Sequence, residues 1–126
     1  MINSKKKGKT GELEFCQWLR EMLGLEARRG VQYKGDKDAP DVITSLEGVH
    51  FEVKRTESLN IYKAMKQAIG DAGDHVPVVA HRRSREDWLL ILKAEDIVKL
   101  CKAIGTIKPK KKKQNVIMCK PIERAS

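Results

Sequence analysis

The segment Val49–Lys54 constrains the fold of this chain more than any other part of the sequence. It reads Val-His-Phe-Glu-Val-Lys, so apolar and polar residues alternate along it. Alternation with a period of two predicts a β-strand that has one face in a core and the other face accessible. Glu52 and Lys54 are therefore expected to project together from the polar face of this strand.

The remaining segments predict a mixed α/β fold around this strand. Helical periodicity and end signals predict helices over Thr10–Leu23, Asn60–Ala72 and Ala94–Ile104, with Thr10 as the cap of the first. Strand character is found in Leu25–Tyr33, Asp41–Leu46, Val49–Lys54, Val76–Ala80 and Trp88–Leu92, and the last two strands are expected to be buried. The resulting order, αβββαββα, predicts a mixed sheet flanked by helices.

The dipeptide Glu47-Gly48 predicts a tight hairpin between the second and third strands. Pro40 suits the start of the second strand, because proline has no N–H to give to a ladder. The hairpin would bring the next residue, Asp41, back beside Glu52 and Lys54. Two carboxylates and an ammonium group at one sheet edge are a natural seat for Mg²⁺.

The first helix offers a third acid. The residues expected on its packing face are Phe15, Cys16, Leu19, Met22 and Leu23. Glu12 falls within this face, whereas Glu14 and Glu21 are expected to point to solvent. A glutamate on a packing face is unfavourable unless it is paired or binds metal. A favourable interaction with the helix dipole in the first turn is the alternative explanation.

The other helices have similar apolar faces. The faces predicted from spacing are Ile61, Met65, Ala68, Ile69 and Ala72 in the second helix, and Ile97, Leu100, Cys101 and Ile104 in the last. Cys16 and Cys101 are thus expected in the core, and the three cysteines form neither a disulfide framework nor a zinc motif. The histidines, His50, His75 and His81, show no metal-ligand spacing.

The basic charge lies at the two ends of the 126-residue chain, whose net charge is +9. Residues 1–10 hold four lysines and no acid, and residues 108–126 hold seven basic residues and one acid, whereas residues 11–107 hold 15 basic and 16 acidic residues. We therefore expect a basic arm (1–9), one domain (10–107) and a basic tail (108–126) that could add a short strand near Met118. Basic arms favour nucleic acids, and the alternative is that they only aid solubility.

Membrane and secretory classes are not expected. The longest apolar run, Trp88–Leu92, is far shorter than the ~20 residues that a membrane-spanning helix needs. The lysine-rich start is not followed by the apolar segment of a signal peptide. These features predict a cytoplasmic protein without a membrane partner, and nothing in the sequence indicates an organic cofactor.

The pattern Pro40-Asp41 … Glu52-Val53-Lys54 resembles the motif of the PD-(D/E)xK nuclease superfamily. With Gly11-Glu12 on the leading helix and Gln67 on the following one, the chain looks most like archaeal-type Holliday junction resolvases and their phage relatives. The resemblance extends from residue 7 to about residue 100. It implies a restriction-endonuclease-like core of order αβββαβ and a metal-dependent DNA endonuclease in a bacterial or phage-infected cell.

The resemblance also implies a role for each matching position. Asp41 and Glu52 would bind Mg²⁺ or Mn²⁺ together with the backbone carbonyl of Val53, and Glu12 would hold a second ion directly or through water. Lys54 would orient the attacking water and stabilise charge on the phosphate in the transition state. Glu12, Asp41, Glu52 and Lys54 would thus be the catalytic residues.

The residues near this motif indicate how DNA would be held. The candidate DNA-binding residues are Arg28, Arg29, Lys34, Arg55 and Gln67. Phosphate contacts from such residues fix the register without reading sequence, as a branched substrate requires. Symmetric cleavage of a four-way junction needs two active sites, which predicts a homodimer. The alternatives are a restriction-like or repair nuclease of the same fold, and a non-catalytic nucleic-acid-binding module.

Overall fold

The order of helices and strands follows the sequence prediction in the computed structural model, which describes residues 4–30 and 41–107, with side chains from residue 8. The helices are α1 (Ser4–Leu23), α2 (Ile61–Ala72) and α3 (Ile97–Gly105), and a 3-10 turn at Ala94–Asp96 precedes α3. The strands are β1 (Ala27–Arg29), β2 (Val42–Thr44), β3 (Val49–Arg55), β4 (Val76–Arg82) and β5 (Leu89–Ile91). The mixed α/β class is therefore confirmed.

The central sheet has the order β3-β4-β5. Strands β3 and β4 are parallel, with Val49 opposite Val76 and Arg55 opposite Arg82, and β5 is antiparallel to β4. A parallel pair needs a crossover connection, and α2 supplies it. Strands β1 and β2 form a separate antiparallel ladder with Ala27 opposite Thr44.

The sheet separates two apolar layers, because successive side chains of a strand point to opposite faces. On one face Phe51 and Val78 pack with α1, where the ring centroids of Phe15 and Phe51 are 5.3 Å apart. On the other face Val79 packs with Met65 and other residues of α2. The polar residues of β3 therefore lie on the α2 face, as the alternation predicts.

The hairpin predicted between β2 and β3 does not form, so that prediction is wrong. Strand β2 pairs with β1, and β3 pairs with β4. Gly48 makes the turn with a φ of 81°, but its carbonyl accepts from the amide of Val76, at the start of β4, at 2.8 Å. The apolar strand β4 offers β3 a fully buried neighbour, which a three-residue edge strand does not.

The helix boundaries and faces also differ in places from the prediction. Helix α1 begins at Ser4 rather than at a Thr10 cap, since lysine favours a helix. Six residues that the sequence predicts to be buried are exposed in the structure: Met22, Ile61, Ile69, Leu89, Ile97 and Cys101. In α2 Met65, Ala68 and Ala72 are buried as predicted. Ala64 is buried in place of Ile61 and Ile69, because small side chains allow the helix axis to approach the sheet closely.

Several predictions fall outside the described residues: the turn at Gly35–Pro40, the strand near Met118 and the positions of Lys34 and Cys119. Among the helices that are described, none has both the length and the apolar character needed to cross a bilayer.

Gly11 allows α1 to lie directly on β3. A Cβ added at Gly11 would overlap the Cβ of Arg55. One turn further along α1, Glu14 contacts the same arginine, with its Oε2 3.4 Å from the Arg55 Nε. The glycine therefore sets the distance between the helix that carries Glu12 and the strand that carries Glu52.

We expect the substitution Gly11→Ala to lower the free energy of unfolding by about 1–3 kcal/mol, because the added methyl group must push α1 away from β3. The matched control is Gly70→Ala in α2, where the new Cβ meets nothing within 4 Å. That change should raise the free energy of unfolding by about 0.5–1 kcal/mol, through helix propensity. Urea denaturation of both variants measures this, and equal stability of the two would contradict the close approach at Gly11.

Candidate active site

The side chain of Asp41 is bonded to the free edge of β3. Its Oδ2 accepts a hydrogen bond from the Val53 amide at 2.9 Å. Within the described residues no strand pairs with this edge, so the carboxylate takes the place of a backbone acceptor. The N–H and C=O of one strand residue point to the same side, so the Val53 carbonyl faces this edge too. Asp41 thus reaches β3 as predicted, although the hairpin does not form.

Glu52 lies beside this edge and is a buried carboxylate, only 5% exposed. Its two oxygens face different basic groups. Oε1 is 3.6 Å from the Nζ of Lys54, and Oε2 is 3.6 Å from the Nε2 of His50. A buried carboxylate is unfavourable unless it is well compensated, and both of these contacts are longer than a hydrogen bond.

The surroundings of Asp41 among the described residues disfavour its ionised form. The pKa of Asp41 is raised from 3.8 to about 6, mainly by burial and then by the neighbouring Glu52 carboxylate. The hydrogen bond from the Val53 amide and the charge of Lys54 act in the opposite direction, and Glu12 adds to the rise. A divalent cation between the carboxylates would remove this repulsion, which makes the acids a suitable cation site.

Lys54 is held in place from α2. Its Nζ donates to the Oε1 of Gln67 at 2.9 Å, while the same Nζ lies 3.6 Å from Glu52. A lysine ammonium has three donors, so the contact with Gln67 fixes its position and leaves other donors for a ligand. The structure thus brings Gln67, one of the candidate DNA-binding residues, next to Lys54.

Glu12 joins the site from α1 as one member of an ion pair. Its Oε1 accepts from the Nε of Arg29 in β1 at 2.7 Å. Its side chain is 18% exposed, and its charge contributes to the rise in the pKa of Asp41. The acid on the packing face of α1 is therefore compensated by an arginine rather than left unpaired.

The other basic candidates are not all free for a ligand. Arg28 is exposed on β1, whereas Arg29 is occupied by Glu12. Arg55 is 15% exposed and contacts Glu14, which also accepts from Arg82 at 2.9 Å. The prediction that Glu14 points to solvent is therefore wrong, because these two arginines draw it into a partly buried network.

Two further residues near Glu52 were not assigned from the sequence. His50, Glu52 and Asp71 can each place a ligand atom so that all three atoms lie within 4.8 Å of one another. His50 lies two residues before Glu52 on the same face of β3, and Asp71 lies four residues after Gln67 on α2. Alternation and helical spacing mark these positions, but no local motif links them, because the crossover brings them together.

We expect the substitution Asp41→Asn to stabilise the metal-free protein at about pH 8. The pKa of Asp41 is raised on folding, so its ionised form opposes folding, and the wild type loses stability as the pH rises through about 6. Asparagine keeps an oxygen acceptor for the Val53 amide and carries no charge. In EDTA its free energy of unfolding should exceed that of the wild type by about 1–3 kcal/mol at pH 8.

The difference between the two proteins should vanish below about pH 4, where Asp41 is protonated in both the folded and unfolded states. Asp74→Asn is the control, because Asp74 is an exposed acid just after α2. It should change stability by less than about 0.5 kcal/mol. An Asp41→Asn variant that is less stable than the wild type at pH 8 would contradict the conclusion that the ionised form of Asp41 opposes folding.

Comparison with solved structures shows a similarity of fold. The chain is similar to Hjc, a Holliday junction resolvase of the archaeal hyperthermophile Archaeoglobus fulgidus, at 16% identity and a TM-score of 0.48. The similarity covers 66% of this chain and 74% of the resolvase chain. No protein-family model and no curated protein matches the chain. At these values the similarity carries no inference about substrate or chemistry.

Proposed function

We propose that the protein is a metal-dependent DNA endonuclease that hydrolyses phosphodiester bonds. The observation that carries the proposal is the hydrogen bond from Val53 to Asp41, which holds the Asp41 carboxylate beside Glu52 and Lys54. These groups come from separate segments, and together they resemble the PD-(D/E)xK motif. Hydrolysis of an anionic phosphodiester requires positive charge near the phosphate. A cation bound by the acids and the adjacent lysine would both supply it.

The residues present fit Mg²⁺ or Mn²⁺. Asp41 and Glu52 supply carboxylate oxygens and Val53 supplies a carbonyl oxygen on the same edge, and hard divalent cations prefer such a set. Burial and the Glu52 carboxylate raise the pKa of Asp41, and a cation bound by both acids would favour its ionised form. Glu12 would serve a second ion, or a water molecule bound to it, while Arg29 holds its Oε1. When bound, the cation lowers the pKa of a water ligand and neutralises charge on the phosphate.

The side chains of the protein would then orient the reactants. Lys54, restrained by Gln67, presents an ammonium group that can donate to the attacking water or to a non-bridging phosphate oxygen. The Val53 amide keeps one oxygen of Asp41 occupied, so the carboxylate cannot rotate away from the edge of β3. Because these groups are positioned before the substrate binds, the entropic part of the activation barrier is lower.

For the substrate we propose branched DNA, with a four-way junction as the first candidate, cleaved by a homodimer. Because charge is nearly balanced in residues 11–107, this part of the chain would recognise DNA through a few specific phosphate contacts. The basic ends would supply the salt-sensitive part of the affinity for DNA. Arg28, which is exposed on β1, is the candidate phosphate contact from this strand, since Arg29 is paired with Glu12. Two copies would supply one cut for each of two strands.

We expect Mg²⁺ to support paired nicks in a synthetic four-way junction, and EDTA to abolish them. Asp41→Asn and Glu52→Gln should each lower the cleavage rate at least about a hundredfold. Both should retain or tighten junction binding, because each removes a negative charge next to phosphate. The exposed control Asp74→Asn should cleave normally. Gel assays of cleavage and binding, with linear duplex and single strand alongside, measure these effects.

The other outcomes of this assay separate the alternatives. Equal cleavage of linear duplex and junction would indicate a restriction-like or repair nuclease instead. If no substrate were cut and Asp41→Asn bound DNA like the wild type, the enzyme proposal would be wrong and a binding module would remain.

Gln67 is expected to act as a positioning residue through Lys54. The substitution Gln67→Ala removes the oxygen that accepts from the lysine, so we expect kcat for junction cleavage to fall about tenfold while KM stays close to that of the wild type. The matched control is Gln17→Ala, since Gln17 is an exposed helical glutamine that donates to Glu21 on α1. A change in KM alone would instead assign Gln67 to DNA binding.

A further inference from the structure

The α2 face of β3 carries a second group of ligands, next to the acids of the proposed nuclease site. His50 and Glu52 project from β3, and Asp71 comes from the last turn of α2. Ligand atoms of the three residues lie within 4.8 Å of one another. The Nε2 of His50 is 3.6 Å from Glu52 Oε2, close to the ~3.0–3.5 Å that separates two ligands bound to one ion at about 2.1 Å.

His50 provides an independent observation that points to a ligand. Its side chain is only 10% exposed, and its Nε2 is buried without a hydrogen-bond partner among the described residues. Buried polar atoms are nearly always bonded, so an imidazole nitrogen left without a partner requires an explanation. Since Nε2 lies 3.6 Å from Glu52 Oε2, a cation bound by both atoms would satisfy it.

Two of the three ligands, His50 and Asp71, line a cavity that is open to solvent. Asp71 is exposed, and it lines an open cavity of about 660 Å³ together with His50 and His75. The turn at Glu47 and Gly48 forms another part of the wall. A hydrated ion can therefore enter between this turn and the end of α2 without disturbing the core.

We propose that His50, Glu52 and Asp71 bind a transition-metal dication, with Zn²⁺ as the representative ion. An imidazole nitrogen with two carboxylates suits zinc and its neighbours in the first transition row, whereas Mg²⁺ prefers oxygen ligands alone. The site differs from the Asp41, Glu52 and Val53 set in its nitrogen ligand. It uses Glu52 Oε2, the oxygen that faces His50, and not Oε1, which faces Lys54.

The direct test is calorimetric titration of the full chain with ZnCl₂, in excess Mg²⁺ and without DNA. Cys101→Ser and Cys119→Ser are introduced first, so that no thiolate competes for zinc. We expect one Zn²⁺ per chain. His50→Gln and Asp71→Asn should each weaken Zn²⁺ binding at least about tenfold. The controls His75→Gln, in the same cavity, and Asp74→Asn should stay within about threefold of the parent.

Absence of saturable Zn²⁺ binding would overturn the proposal, and so would a His50→Gln variant that binds like the parent. Loss of binding in His75→Gln alone would place the ion on the cavity surface and would also overturn it. If circular dichroism shows that His50→Gln is unfolded, Asp71→Asn decides, because that residue is exposed. The measurement involves neither DNA nor cleavage, so its failure would leave the proposed nuclease function untouched.

Discussion

The hydrogen bond from the Val53 amide to the Asp41 carboxylate is the interaction on which the site depends. Among the described strands, β3 has a ladder partner on one side only, so the amides on its other edge need acceptors from elsewhere. A side-chain acceptor at this point brings a negative charge where a neighbouring strand would bring a neutral carbonyl. The fold therefore satisfies a backbone donor by placing Asp41 beside the buried Glu52, and the raised pKa of Asp41 is the electrostatic result.

Helix α1 completes the arrangement because it packs closely on β3. With no side chain at Gly11, the helix lies against the Cβ and Cγ atoms of Arg55. Glu12 then meets Arg29 of β1, and Glu14 meets Arg55 and Arg82. Two neighbouring acids of one helix thus have different surroundings, since one adds to the negative potential of the site and the other fastens α1 to the sheet.

The parts of this arrangement that depend on short-range pattern could be predicted from the sequence. Alternation in β3 placed Glu52 and Lys54 on one polar face, and helical spacing placed Glu12 on the packing side of α1. The pairing of β2 could not be predicted, because the turn at Gly48 suits a hairpin as well as it suits an entry into parallel pairing with β4. Which side of α2 faces the sheet depends on how closely that helix approaches, and spacing alone favours the larger side chains, such as Ile69, over alanine.

Contacts that form only through the crossover could not be predicted from spacing, although the resemblance already names Gln67. Gln67 and Asp71 are one helical turn apart on α2, and they approach Lys54 and His50 because α2 runs back along β3. Glu52 lies between these two pairs, with one oxygen toward each basic group. A cation bound to one oxygen withdraws electron density from the whole carboxylate. The other oxygen then binds a second cation more weakly. Two cations at these positions would therefore be coupled through Glu52. The binding of one would lower the affinity for the other through this single side chain.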